Sequence, residues 1–157
     1  MNKQPGVHPR HRRTVLKRTT LSCALLLSVV QLPAFAGDIC RHADGTDSST
    51  AVGTNAFACG YENTASRFHS SAFGYGNTAG GDTGSAFGYT NIANGTASSA
   101  FGRDNATYGG NSSAFGFSNT ASHTNSSAFG YDNTASGEFS SAFGYYNTAN
   151  DFRSSAF

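Results

Sequence analysis

Every Leu of this 157-residue sequence lies at or before Leu32, the single Met is Met1, and beyond position 36 the only aliphatic β-branched residues are Ile39, Val52 and Ile92. That scarcity excludes a helical core, which needs an apolar stripe at 3.6-residue spacing. Charge is scarce as well, and unevenly placed. Six of the ten Lys and Arg (Lys3, Arg10, Arg12, Arg13, Lys17, Arg18) fall in the first eighteen positions, where there is no Asp or Glu. Beyond position 36, four basic residues stand against nine acidic ones, a net charge of −5. An acidic body offers no electrostatic footprint for a phosphate backbone, so nucleic acid is not an expected partner. A chain so poor in Leu, Ile and Val reads as disordered unless a regularity lets small residues and Phe pack instead.

The basic start is followed by an apolar run from Leu21 to Leu32, then Pro33, then Ala34-Phe35-Ala36. This is the pattern of a secretory signal peptide over residues 1–36, with cleavage after Ala36. The run is well short of the roughly 20 residues a spanning helix needs. Arg12-Arg13-Thr14-Val15-Leu16-Lys17 resembles a twin-arginine export signal, and the general secretory route fits too. Either route takes the chain out of a bacterial cytoplasm, to the cell surface, the outer membrane or the medium, where disulfides persist. Cys23 leaves with the leader, so Cys40 and Cys59 remain as a candidate disulfide or as two free thiols. Their spacing, with only His42, His69 and His123 nearby in sequence, does not make a metal site. No cofactor is expected.

The body is periodic. Ser-Ala-Phe recurs with Phe at 73, 87, 101, 115, 129, 143 and 157, and Asn keeps step at 63, 77, 91, 105, 119, 133 and 147, always fourteen residues apart. Counting Ser71 as the first position, the unit is S-A-F-G-Y-x-N-T-A-S-G-x-x-S. It divides into two similar halves, [S/N]-x-A-x-G-x-x, each long enough for a short strand and a tight turn. Stacked units give parallel strands and a solenoid. Ser or Asn, Ala and Gly share the inner face of both halves, which suits two sheets in close apposition. Outside, the first half presents Ser, Phe and Tyr (Ser71, Phe73, Tyr75), and the second presents Thr and Ser (Thr120, Ser122; Thr134, Ser136). One outer sheet is therefore wettable, and the other carries a Phe stripe that predicts self-association. The Asn before each second strand is placed to form a hydrogen-bonded ladder between coils.

No catalytic constellation emerges. Gly74-Tyr75-Gly76-Asn77-Thr78-Ala79 matches a dinucleotide fingerprint only by accident of the repeat, because it lacks the strand, helix and downstream acid of that motif. Arg67, His123 and Asp151 occupy a slot usually held by Gly and are expected at turns with their side chains outside. Tyr75, Tyr89, Tyr131 and Tyr145 are expected at the rim of an assembly.

With these residues in view, the unit resembles the head repeat of trimeric autotransporter adhesins of the YadA type, S-V-A-I-G-x-x-S-x-A-x-G-x-x, over residues 49–157. The resemblance implies an all-β, left-handed parallel β-roll and a homotrimer. Phe73, Phe87, Phe101, Phe115, Phe129, Phe143 and Phe157 would form the trimer interface. It also implies attachment to extracellular matrix proteins such as collagen, to host cells or to other bacteria. Phe stands where that family usually has an aliphatic residue, and Asn where it usually has Ser. The expected organisation is a signal peptide (1–36), a cap segment (37–48) pinned over the first coil by Cys40 and Cys59, and repeats (49–157) that end inside a unit. Membrane contact is expected only through an anchor outside this chain. Two other readings are an FG-rich disordered chain, which the unslipping period argues against, and an ice-binding or structural solenoid, whose Thr row is interrupted by Ile92 and Ala106.

Overall fold

The computed structural model describes residues 38–40 and 48–157, and every regular element among them is a β-strand. The signal-peptide segment lies outside the described residues, as do 37 and 41–47 of the cap segment. In chain order the strands are β1 (Asp38–Cys40), β2 (Thr50–Ala51), β3 (Phe57–Tyr61), β4 (Thr64–Ala65), β5 (Ser71–Tyr75), β6 (Thr78–Ala79), β7 (Ser85–Tyr89) and β8 (Ile92–Ala93). They continue as β9 (Ser99–Arg103), β10 (Ala106–Thr107), β11 (Ser113–Phe117), β12 (Thr120–Ala121), β13 (Ser127–Tyr131), β14 (Thr134–Ala135), β15 (Ser141–Tyr145), β16 (Thr148–Ala149) and β17 (Ser155–Ala156). The odd-numbered strands form a nine-stranded sheet in sequence order, and the even-numbered strands an eight-stranded one. All pairing is parallel, and each residue sits beside its equivalent one unit on: Ser71 beside Ser85, Ala72 beside Ala86, Phe73 beside Phe87. The fold is an all-β parallel solenoid of about eight coils, one coil per fourteen-residue unit.

The interior is filled by small side chains because nothing larger fits between the two sheets. Ala72, Ala86, Ala100, Ala114, Ala128 and Ala142 of the long strands, and Ala65, Ala79, Ala93, Ala121 and Ala135 of the short ones, are fully buried. Thr107 is the exception among them, because β10 reads Ala-Thr where its neighbours β8 and β12 read Ile-Ala and Thr-Ala. Its buried Oγ1 lies 2.9 Å from Ser98 Oγ and 3.3 Å from the Ile92 carbonyl, so the hydroxyl is satisfied.

The fourth-position glycine departs from the sequence expectation. It is not an interior residue: Gly88, Gly102, Gly116, Gly130 and Gly144 are exposed near the ends of the long strands. Their φ angles, like those of Gly60 and Gly74, lie between 115° and 121°, a region closed to L side chains. A Cβ on Gly102 would also stand 2.2 Å from the Gly116 carbonyl oxygen. The glycine is thus required by backbone geometry and by the close approach of the next coil.

Both turns of each coil pass through the left-handed region, at the sixth and thirteenth positions of the unit. Asp104 (φ 57°), Asp132 (54°), Asn111 (55°) and Asn125 (58°) suit this conformation; Thr83 (54°), Phe139 (59°) and Arg153 (58°) do not. From His69 to Arg153 each of these turn N–H groups finds a carbonyl one coil back, as when Thr90 N–H donates to Tyr75 O (2.8 Å) and Asn111 N–H to Thr96 O (2.8 Å). The coil-to-coil bonding therefore runs around the whole perimeter.

Asparagine supplies the remaining link. Asn63, Asn77, Asn91, Asn105, Asn119 and Asn133 are fully buried. Asn105 is typical: its backbone N–H and its Nδ2 both donate to Asn91 Oδ1 (3.1 and 3.0 Å). The same Nδ2 lies 2.9 Å from Phe101 O in its own coil and 2.8 Å from Gly116 O in the next. Its Oδ1 in turn accepts from Asn119 N–H and Asn119 Nδ2, both at 3.0 Å. One side chain ties three coils. At the N-terminal end Ser49 takes the same slot, accepting from Asn63 N–H (3.3 Å) and donating to Gly60 O (3.1 Å).

Asn105→Ala leaves buried partners above and below unsatisfied, and the expected loss is about 3–5 kcal/mol, since each orphaned group costs about 1–3 kcal/mol. Asn105→Ser keeps the bonding that Ser49 displays and should lose markedly less. Urea unfolding of the two variants beside the parent chain checks the order.

Candidate functional site

The long-strand sheet turns its first, third and fifth positions outward. At the third position the phenyl rings stack along the solenoid axis: Phe87 to Phe101, Phe115 to Phe129 and Phe129 to Phe143 at 4.9 Å, and Phe101 to Phe115 at 5.0 Å, within 5° of parallel. Phe73 and Phe157 extend the row at 6.0 and 5.7 Å. Parallel in-register pairing leaves the rings no other place, because each Phe has a Phe directly beside it. Stacking covers the ring faces and leaves the outward edges open, so the central five are half-buried, Phe73 is 48% exposed and Phe157 is 85% exposed. All seven residues proposed from sequence as an interface thus fall in one line.

A second aromatic row runs along the fifth position. Tyr61, Tyr75 and Tyr89 stack at 5.4 and 5.0 Å, and Phe117, Tyr131 and Tyr145 at 5.0 Å. Between the two runs stands Arg103, its guanidinium 5.4 Å from the Tyr89 ring and 5.2 Å from the Phe117 ring, so the cation continues the stack. Its Nε also bonds Asp104 Oδ2 at 3.2 Å. Nothing in the unit consensus signalled this; only the break in the Tyr column at 103 could have. The negative charge of Glu62 beside Tyr75 holds that phenol above its ordinary range. Tyr146 is held up chiefly by Tyr131, against which it packs at 5.5 Å.

At the N-terminal end Cys59 occupies the slot of the Phe column, in register with Phe73. Strand β1 lies beside β3 with Cys40 opposite Cys59, Cα atoms 4.6 Å apart and the two sulfurs bridged. The bridge ties β1 to the outer edge of the long-strand sheet.

The opposite sheet is uncharged, with outward Thr64, Thr78, Thr120, Thr134 and Thr148 interrupted by Ile92 and Ala106. Arg67, His123 and Asp151 are exposed at turns. The same corner of the coil holds Phe68 stacked on His69 at 3.8 Å, and Arg153 over the rings of Phe152 and Phe139 at 4.8 and 5.9 Å. Among the described residues no three His, Cys, Asp or Glu side chains gather where they could hold a metal ion.

Comparison with known families matches the YadA head domain repeat (2 copies) over residues 68–89, 79–105, 108–133, 124–147 and 135–157. These segments cover more than half of the chain. The chain belongs to the YadA head repeat family. No curated protein matches it. YadA head repeats are an adhesin-type domain of surface-exposed or secreted proteins, not an enzyme family. Within this YadA head, Phe at the third position forms the outward stripe, and Asn at the seventh bonds both neighbouring coils.

Reducing the bridge in this head releases β1, and the chain-entropy value for a loop of this length is about 3 kcal/mol. Dithiothreitol should therefore speed amide exchange in β3 while leaving the central coils protected. Hydrogen exchange read by mass spectrometry with and without reductant checks this.

Proposed function

We propose that this YadA head is the binding head of an exported bacterial adhesin, wound left-handed and assembled as a homotrimer through the Phe column. The observation that carries the reading is the unbroken stack from Phe73 to Phe157, whose ring edges no other part of the described chain covers. Long-strand rungs spaced about 4.8 Å apart make a face roughly 35–40 Å long and 15–17 Å wide. That is on the order of 600 Å², comparable to one side of an ordinary stable interface. Full burial of an exposed Phe stabilises by about 1.5–3 kcal/mol, and covering the half of each ring that the stack leaves open gains part of that at every rung, which supports self-association over exposure. The turns and the Thr-rich sheet then remain outside. Three copies present three equivalent, repetitive surfaces, so weak contacts with a repetitive target sum through multivalency. Extracellular matrix proteins and cell-surface receptors, on host cells or other bacteria, are the partners this favours.

Sedimentation of the mature chain is expected to give a trimer. The triple variant Phe101→Ser, Phe115→Ser, Phe129→Ser should dissociate or unfold it, whereas Thr120→Ser with Thr134→Ser should leave it intact. Bacteria displaying a verified trimer should adhere to immobilised matrix proteins, host cells or one another above controls; adhesion to none of these contradicts the adhesin reading and favours a passive coat.

A further inference from the structure

A periodic stripe fixes its own alignment only through its ends, where a one-coil slip leaves one rung unpaired. Strands β5, β7, β13 and β15 all read Ser-Ala-Phe-Gly-Tyr. Two copies packed through that face can therefore slip by one coil, about 4.8 Å, and meet the same side chains again. From β2 to β17 a single strand residue carries charge, Arg103, and it is the fourth of the seven fifth-position residues. Its side chain is 61% exposed, and Asp104 beside it is 38% exposed. Arg103 spends its Nε–H on Asp104, and Asp104 Oδ1 accepts the Thr90 hydroxyl. The two terminal NH2 groups of Arg103 make no hydrogen bond within the described chain and remain for an acceptor outside it.

We infer that Arg103 and Asp104 set the axial register of the assembly, an inference that rests on the trimer reading. In a closed ring with rotational symmetry every copy of Arg103 stands at the height of Asp104 on its neighbour, so the guanidinium of each copy meets the carboxylate of the next. A slip of one coil carries the guanidinium to the level of Thr90 or Ser118, where no carboxylate waits. The cost of misalignment comes from a charge left without its partner at the rim of an apolar face. Arg103 is thus a positioning residue of the interface.

The test coexpresses chains carrying Phe115→Cys with chains carrying Phe129→Cys, oxidises the product and maps interchain disulfides by mass spectrometry. Links 115 to 115 and 129 to 129 report aligned copies, and 115 to 129 reports a one-coil slip. With native Arg103, and with Arg103→Lys, aligned links should exceed slipped ones by roughly tenfold or more, a preference of about 1.4 kcal/mol. Arg103→Tyr makes β9 identical in sequence to β7, so the fold is retained, which circular dichroism checks, and the ratio of aligned to slipped links should fall several-fold below that of the parent. A sedimenting trimer whose Arg103→Tyr variant keeps the parent's ratio of aligned to slipped links overturns the register assignment alone. A monomeric parent chain overturns the trimer reading and this inference with it.

Discussion

Two sheets that approach until only Ala, Ser, Gly, Asn and a single Thr fit between them leave no space for a conventional hydrophobic core, and most features of this molecule follow from that narrowness. Alanine contributes little transfer free energy, so cohesion has to come from bonding between successive coils. The backbone supplies it along both sheets and through both left-handed turns. The asparagine ladder supplies it where the chain passes from the long strand to the short one, with every buried amide matched to a carbonyl or to the amide of a neighbouring coil. Buried amides of this kind help only when all are satisfied, and strict fourteen-residue spacing is the condition for that. A one-residue insertion would displace an Asn from the column and orphan groups on either side.

The same spacing turns the outside into columns. A Phe in the unit becomes a rod-long stack, a Tyr becomes a second stack, and Thr becomes a hydroxyl row on the opposite sheet. Apolar side chains that a globular protein would bury inside its own core are here placed outside, because the interior has no room for them. The fold of one chain and its association with others are therefore linked by geometry. Specific information sits in the exceptions to the repeat: Cys59 at the start of the Phe column, Arg103 in the Tyr column, Thr107 in the Ala column, and the turn residues.

Much of this was legible from sequence because a solenoid converts period directly into position. Spacing alone placed Ala72 and Ala79 inside, Phe73 outside and Asn77 at the ladder. The glycine of the first half was misplaced because alternation assigns Gly74 to the interior, whereas its φ of 119° answers to the carbonyl of the next coil. The left-handed turn positions were hidden because their occupants range from Asp104 to Phe139, and hydrogen bonds to the preceding coil rather than local preference hold such residues there. Arg103 escaped notice because consensus reading discards the single departure. The family itself was carried by the Ala and Gly spacing, where the narrow interior fixes Ala and the approach of the next coil fixes the fourth-position Gly.

The central claim is that the Asn side chains bond coil to coil, and side-chain amide exchange measures this directly. In a 15N-labelled sample the Nδ2 protons of Asn77, Asn91, Asn105, Asn119 and Asn133 should exchange with deuterium as slowly as the backbone amides of the central long strands, while those of exposed Asn94 and Asn111 exchange at once. Equally fast exchange for both groups, in a sample whose backbone amides remain protected, would contradict the account.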